Sequence, residues 1–229
     1  MGYCLLYEAM LDSVIWARDR YLAPDGLMIP SHTTLHIAPL TDPDYVADHI
    51  SFWQSVYGFT MTSMLAHIYD EVLIRDVPRS NIPAHSTAFR QLPLHTAAVQ
   101  DLTFVACPFS LEITEDTDSF DGFVIWFDTF FMRSRDAFDP SSSGANQLAK
   151  EKGVVAFTTG PEGPGTHWRQ GTLLIDYGNK QPEALKKGSV IDGEIGYKKH
   201  EDNPRELDIE MTWGIRDSEA RWRQVWFMR

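Results

Sequence analysis

Apolar residues recur at a helical period in the first part of the chain and at a period near two in most of the rest. Between Tyr3 and Leu22, Leu6, Met10, Val14 and Ala17 fall three or four apart, with Leu11 and Ile15 beside them. Asp12, Arg18 and Asp19 lie on other faces. The spacing predicts a helix over 3–22, stopped by Pro24-Asp25-Gly26. On such a helix Glu8 is a solvated surface charge. Leu27–Pro30 and Thr33–Leu40 read as strands, the second because Leu35 and Ile37 alternate with Thr34 and His36. Thr41-Asp42-Pro43 signals a helix start. The stretch 44–70 carries Ile50, Phe52, Trp53, Val56, Tyr57, Phe59, Met61, Met64 and Leu65, divided by Gly58. It predicts two short helices whose aromatic face enters a core; an exposed face would instead mark a subunit contact.

Beyond Val72 the pattern predicts strands at Val72–Val77, Leu94–Ala98, Leu102–Ile113, Gly122–Met132, Gly153–Thr158, Trp168–Ile175, Ser189–Tyr197, Leu207–Trp213 and Arg221–Met228. Pro108, inside the Leu102–Ile113 run, implies an edge strand or a bulge. The polar, serine-rich 135–152 reads as a mobile surface loop with a short helix at Ala145–Lys152. Many short strands separated by turn residues predict a mostly β fold, an antiparallel barrel or sandwich, with a helix in front and a helical insertion.

Composition narrows the function classes. The 229 residues are 43% hydrophobic and 12% aromatic, enough for a substantial core. A net charge of −12 argues against nucleic acid as direct ligand and suits a basic protein or peptide. Cys4 and Cys107 form no C-x-x-C pair, the other histidines show no metal spacing, and no run is long and apolar enough to span a membrane. These features predict a reduced intracellular setting, cytoplasmic and also nuclear, without metal or membrane partners.

The most specific stretch is Phe157–Gly171, FTTGPEGPGTHWRQG, where glycines and prolines shape a turn that presents Thr166, His167 and Trp168 side by side. Its spacing alone reads first as a hairpin connection with a core tryptophan. Recognition of a flat polar group is the alternative.

Several stretches, in order along the whole chain, resemble the protein arginine N-methyltransferases. Met1–Leu11, reading MGYCLLYEAML, resembles the second half of that family's double-glutamate loop. Phe52–Met61 resembles its dimerisation arm, and Thr158–Pro161 with Thr166–Gln170 its Thr-His-Trp loop. Asn203–Asp208 and Met228-Arg229 resemble its last strands. The resemblance implies a β-barrel substrate-binding domain over 27–229, with the arm at about 42–75 and residues 1–26 as a remnant of the active-site helix. It implies methyl transfer from S-adenosylmethionine to protein arginine, on substrates of the histone or ribosomal-protein kind, by a homodimer. Glu8 corresponds to the second glutamate and His167 to the loop histidine. Tyr3, Met10, Thr166 and Trp168 correspond to substrate-pocket positions, the methionine going with asymmetric dimethylation. Phe52, Trp53, Tyr57 and Phe59 correspond to arm contacts. The family's cofactor domain and first glutamate have no counterpart in this sequence, which implies a truncated, inactive form. A non-catalytic binding or oligomerisation module is the second reading, and a carbohydrate-binding β-sandwich a third.

A paired-carboxylate site suits this substrate. A guanidinium stays protonated, and carboxylates can hold it through parallel hydrogen bonds that fix its plane.

Overall fold

The computed structural model describes residues 1–135, 140, 144–151, 154–178, 180 and 184–229. Along the chain run α1 (Met10–Tyr21), β1 (His32–Leu40), α2 (Pro43–His49), β2 (Leu73–Arg75), β3 (Thr87–Pro93), β4 (Phe104–Glu112) and β5 (Gly122–Phe131). They are followed by α3 (Ala145–Leu148), β6 (Val155–Thr158), β7 (Gln170–Leu174), β8 (Val190–Lys199), β9 (Leu207–Ile215) and β10 (Trp222–Met228). The strands form two antiparallel sheets. One has the order β2-β7-β5-β1-β3, with β6 also paired to β5; the other has the order β10-β9-β8-β4.

Strand β5 is central because both of its faces are covered. Phe123, Ile125 and Phe127 point into the core between the sheets, where they meet residues such as Phe109, Ile195, Met211 and Trp213. Val124 and Trp126, one residue out of phase, join a second apolar cluster with Ile50, Val77 and Ile82 at the base of the helical insertion. Phe130 meets Ala145 and Leu148 of α3 in a third. Burial on both faces is why GFVIWF opens the strand as an unbroken apolar run, with Asp128 and Thr129 buried beyond it.

Closure into a barrel by continuous ladders is not found among the described residues. Among the described residues the backbone pairing between the sheets' edges consists of isolated bridges, Glu71 to Phe227 on one side and Ala84 to Ile113 on the other. Strand β2, three residues long, offers little ladder, and β4 slips register between Phe104 and Cys107 ahead of Pro108, which has no N–H to donate. The strand predicted to hold Pro108 is indeed an edge.

Other expectations change. The helix predicted over 3–22 begins at Met10, after a 3-10 turn at Tyr7–Ala9, because Cys4, Leu5, Glu8 and Ala9 all adopt left-handed backbone. Leu27–Pro30 is not a strand, and Leu94–Ala98 is a turn, the true strand being Thr87–Pro93. The insertion contains α2 and 3-10 turns at Ser51–Gln54 and Thr62–Leu65, and its aromatic face is not core: Phe52 and Phe59 are exposed, Tyr57 is 97% exposed, and Trp53 is only partly covered. Of the loop predicted over 135–152, residues 136–139, 141–143 and 152 lie outside the described residues, as does Gly153; the short helix is present at Ala145–Leu148. No helix among the described residues is long and apolar enough to cross a membrane.

Candidate active site

Residues 1–9 pack against the hairpin that carries Thr166, His167 and Trp168. Left-handed backbone at non-glycine residues costs roughly 1 kcal/mol each. Here burial of Leu5 and Leu6 in the main core compensates. Gly171 opens β7 to this segment, since a Cβ there would overlap Cys4 Sγ and Ile125. Burial pushes the Cys4 thiol up to about 12, although a hydrogen bond with the Gly171 backbone opposes that shift. Cys4 and Cys107 are both free and buried. The Trp168 indole Nε1 donates to the Met1 carbonyl at 2.8 Å, while its ring stacks on Phe157 at 5.8 Å and meets Phe127 edge-on at 5.7 Å. This tryptophan is therefore a packing brace, as the hairpin reading has it, and it stands behind the wall of a cavity.

The cavity, about 520 Å³, is lined by Tyr3, Ile74, Asp76, Thr166, His167 and Arg169 together with Gly165. Tyr3 and His167 are in ring contact at 5.8 Å. Thr166 Oγ1 is buried without a partner, and Asp76 lies 3.5 Å from Arg169, whose backbone is left-handed. Gln170 ties the two sides of this wall together. Its Oε1 accepts from Val77 N–H at 2.8 Å and its Nε2 donates to the Thr159 carbonyl at 2.5 Å.

The loop is planted at its other end on a buried polar platform. Gly160 sits so close to Trp126 that a Cβ would overlap the indole nitrogen, and its N–H donates to Thr158 Oγ1. The Trp126 indole lies parallel to the His36 imidazole at 5.7 Å, and His36 Nε2 is 3.6 Å from Asp128 Oδ2. Burial pushes His36 below its ordinary value, with Asp128 opposing.

Glu8 and Met10 do not line the cavity. Both are exposed where the N-terminal segment enters α1. Glu8 is held by one residue twice: its N–H donates to the Arg205 carbonyl at 2.7 Å, and its Oε1 accepts from Arg205 Nη2 at 2.9 Å. The structure thus brings Tyr3, Thr166 and His167 together and sets Trp168 behind them, with Glu8 and Met10 on the same N-terminal segment beyond the cavity lining. Sequence reasoning assigned no role to Asp76, Arg169 or Arg205. The latter two stand inside quoted motifs, where their position beside chemistry already singled out was the available signal, whereas Asp76 lies inside the run Val72–Val77 predicted as a strand and had none. Among the described residues no cluster of ligands could hold a metal ion.

Residues 31–218 match the family model described as the arginine methyltransferase oligomerization subdomain. The chain is 38% identical over 215 residues to the ribosomal protein arginine N-methyltransferase rmt3 of Schizosaccharomyces pombe, covering 94% of this chain and 37% of that protein. It is 36% identical over 213 residues to protein arginine N-methyltransferase 1 of the same yeast, covering 93% of this chain and 56% of that one. Its fold superposes with a TM-score of 0.82 on the Trypanosoma brucei PRMT1 enzyme-prozyme heterotetrameric complex with AdoHcy, at 26% identity, over 100% of this chain and 66% of that chain. The chain therefore spans roughly a third to a little over half of these two yeast relatives' length. The match of the family model across most of the described fold shows that this chain belongs to the protein arginine methyltransferase family.

Proposed function

We propose that the chain supplies the arginine-recognising side of an S-adenosylmethionine-dependent protein arginine methyltransferase. The observation that carries the reading is the Tyr3–His167 contact, which joins the glutamate-bearing segment to the Thr-His-Trp loop around one cavity. Glu8 binds the substrate guanidinium by charge-assisted hydrogen bonds, fixing its plane and drawing positive charge towards the carboxylate. Tyr3 and Trp168 hold the wall, Thr166 offers its unpartnered hydroxyl, and the exposed imidazole of His167 takes up the proton that the substrate nitrogen releases. Holding the guanidinium in one orientation is where the rate advantage comes from.

The described strands pair antiparallel, and among the described residues no strand–helix unit presents a glycine-rich helix start of the kind that cradles a nucleoside cofactor. The described residues do not fit S-adenosylmethionine. The reading therefore has the 229-residue chain, tested alone, neither binding the cofactor nor methylating peptide. Calorimetry showing tight binding of S-adenosylmethionine would overturn this. In an assembly that contains the whole site, Glu8→Gln lowers turnover at least about a hundredfold, as loss of a transition-state contact of several kcal/mol would. Retained turnover removes Glu8 from its role. By the family resemblance Met10 goes with an asymmetrically dimethylated product, which amino-acid analysis of the methylated substrate distinguishes from the symmetric isomer. The acidic chain suits basic proteins of the ribosomal or histone kind in the cytoplasm and nucleus. Exposure of Phe52, Tyr57 and Phe59 supports homodimerisation through the arm and favours, as the second reading, a non-catalytic oligomerisation module.

A further inference from the structure

Resting on the reading of Glu8 as the guanidinium-binding carboxylate, we propose that Arg205 is a positioning residue that occupies Glu8 as an internal guanidinium, which a substrate arginine displaces.

The contact has two parts of different strength. The first is backbone to backbone: the Arg205 carbonyl accepts the Glu8 N–H at 2.7 Å, at a residue whose φ is 69°. This bond fixes where the Glu8 main chain sits and would survive a change of the Arg205 side chain. Its acceptor is itself held by a braced turn. Asn203 Oδ1 accepts from Arg205 N–H at 3.2 Å, Asn203 Nδ2 donates to Glu206 Oε1 at 2.7 Å, and the Glu206 N–H returns to the Asn203 carbonyl at 2.9 Å. Arg229 then spans Glu206 at 3.2 Å and Asp208 at 2.8 Å, fastening the turn to the last strand.

The second part is the ion pair, Arg205 Nη2 to Glu8 Oε1 at 2.9 Å, and its surroundings are wet: the Arg205 side chain is 67% exposed and that of Glu8 50%. Such pairs are weak and exchange readily with solvent and with other ions. A carboxylate intended for a guanidinium is thus already oriented by one, through a contact that costs little to break. The two parts separate the roles. The carbonyl places Glu8, and the guanidinium keeps its carboxylate pointed and screened until a second guanidinium arrives. An Arg205 needed only to hold the fold would weaken substrate binding when removed; a competitor would strengthen it.

The test is an NMR titration of the 229-residue chain with a glycine- and arginine-containing peptide, following the side-chain carboxyl carbon of Glu8 in the wild type, Arg205→Gln and Arg205→Lys. The expected midpoint falls about two- to five-fold in Arg205→Gln, the range open to an exposed ion pair. In Arg205→Lys it stays within about two-fold of wild type, since the cation is kept. An equal or raised midpoint in Arg205→Gln overturns the proposal while leaving Glu8 as the binding carboxylate. So does collapse of the amide spectrum of Arg205→Gln, which would make the residue structural. A Glu8 resonance that fails to move in every form overturns the reading of Glu8 itself, and the proposal with it.

Discussion

Two glycines decide how closely the site's parts can approach. At Gly171 a side chain would occupy the place of Cys4 Sγ, so Gly171→Val should push the N-terminal segment off β7. We expect a loss of roughly 1–3 kcal/mol, the usual cost of overpacking. Cys4, inert to alkylation while buried with its thiol raised to about 12, should then react with iodoacetamide. Mass spectrometry after timed alkylation reads this; unchanged protection would show that the segment docks independently of Gly171. His36 makes a pH prediction. Burial lowers its pKa below the ordinary 6.5, and His32 and His95 shift the same way through burial and neighbouring cationic groups. The unfolded chain therefore takes up protons first as pH falls. Stability is complete above about 6.5 and declines below it. The urea midpoint should drop between pH 7.5 and pH 5.5, and a flat or rising midpoint would contradict the lowered pKa values of these histidines.

At the scale of elements, the sequence was most legible where burial follows one simple pattern. Strand β9 falls close to its predicted position because its burial alternates between two faces, and β1 and β5 do so because burial on both faces makes them long runs rich in apolar residues. Strand β3 escaped because the register of its pairing with β1 shifts at Leu35/His36, leaving Phe89 and Leu92 as the buried pair three residues apart. The apolar residues just after it were misread for a related reason. Leu94 and Ala97 are buried in a turn, where Arg18 on α1 donates to the Leu94 carbonyl. Left-handed backbone at Cys4, Leu5, Glu8 and Ala9 has no local sequence signal either, since none is glycine or asparagine. The Thr-His-Trp loop was recognisable from its residues, but its support was not: Gln170, Trp126 and Gly160 act through contacts distant in sequence. Gln170→Ala should strand the Val77 N–H and the Thr159 carbonyl in a buried place, costing about 2–4 kcal/mol in chemical denaturation. A loss under about 0.5 kcal/mol, the range of neutral surface changes, would show that these groups find other partners.

For the whole molecule, the two sheets and the N-terminal segment share one core, whereas the helical insertion leaves its aromatics outside it. Phe52, Tyr57, Phe59, Met61 and Met64 are all exposed, and they lie within the stretch matched by the oligomerization-subdomain model; the proposed reading makes this surface the contact. Light scattering should show concentration-dependent association of the chain, reduced in Tyr57→Ser with Phe59→Ser; a monodisperse monomer would count against the arm as the contact. The central claim is that this fold presents a site for arginine rather than for positive charge in general. A calorimetric titration of the chain with an arginine-containing peptide, against the same peptide carrying lysine in its place, tests it most directly. We predict binding of the arginine peptide that is lost in Glu8→Gln and is several-fold weaker for lysine, whose ammonium lacks the planar fork a carboxylate grips. Equal binding of the two peptides, or binding indifferent to Glu8→Gln, would contradict the account.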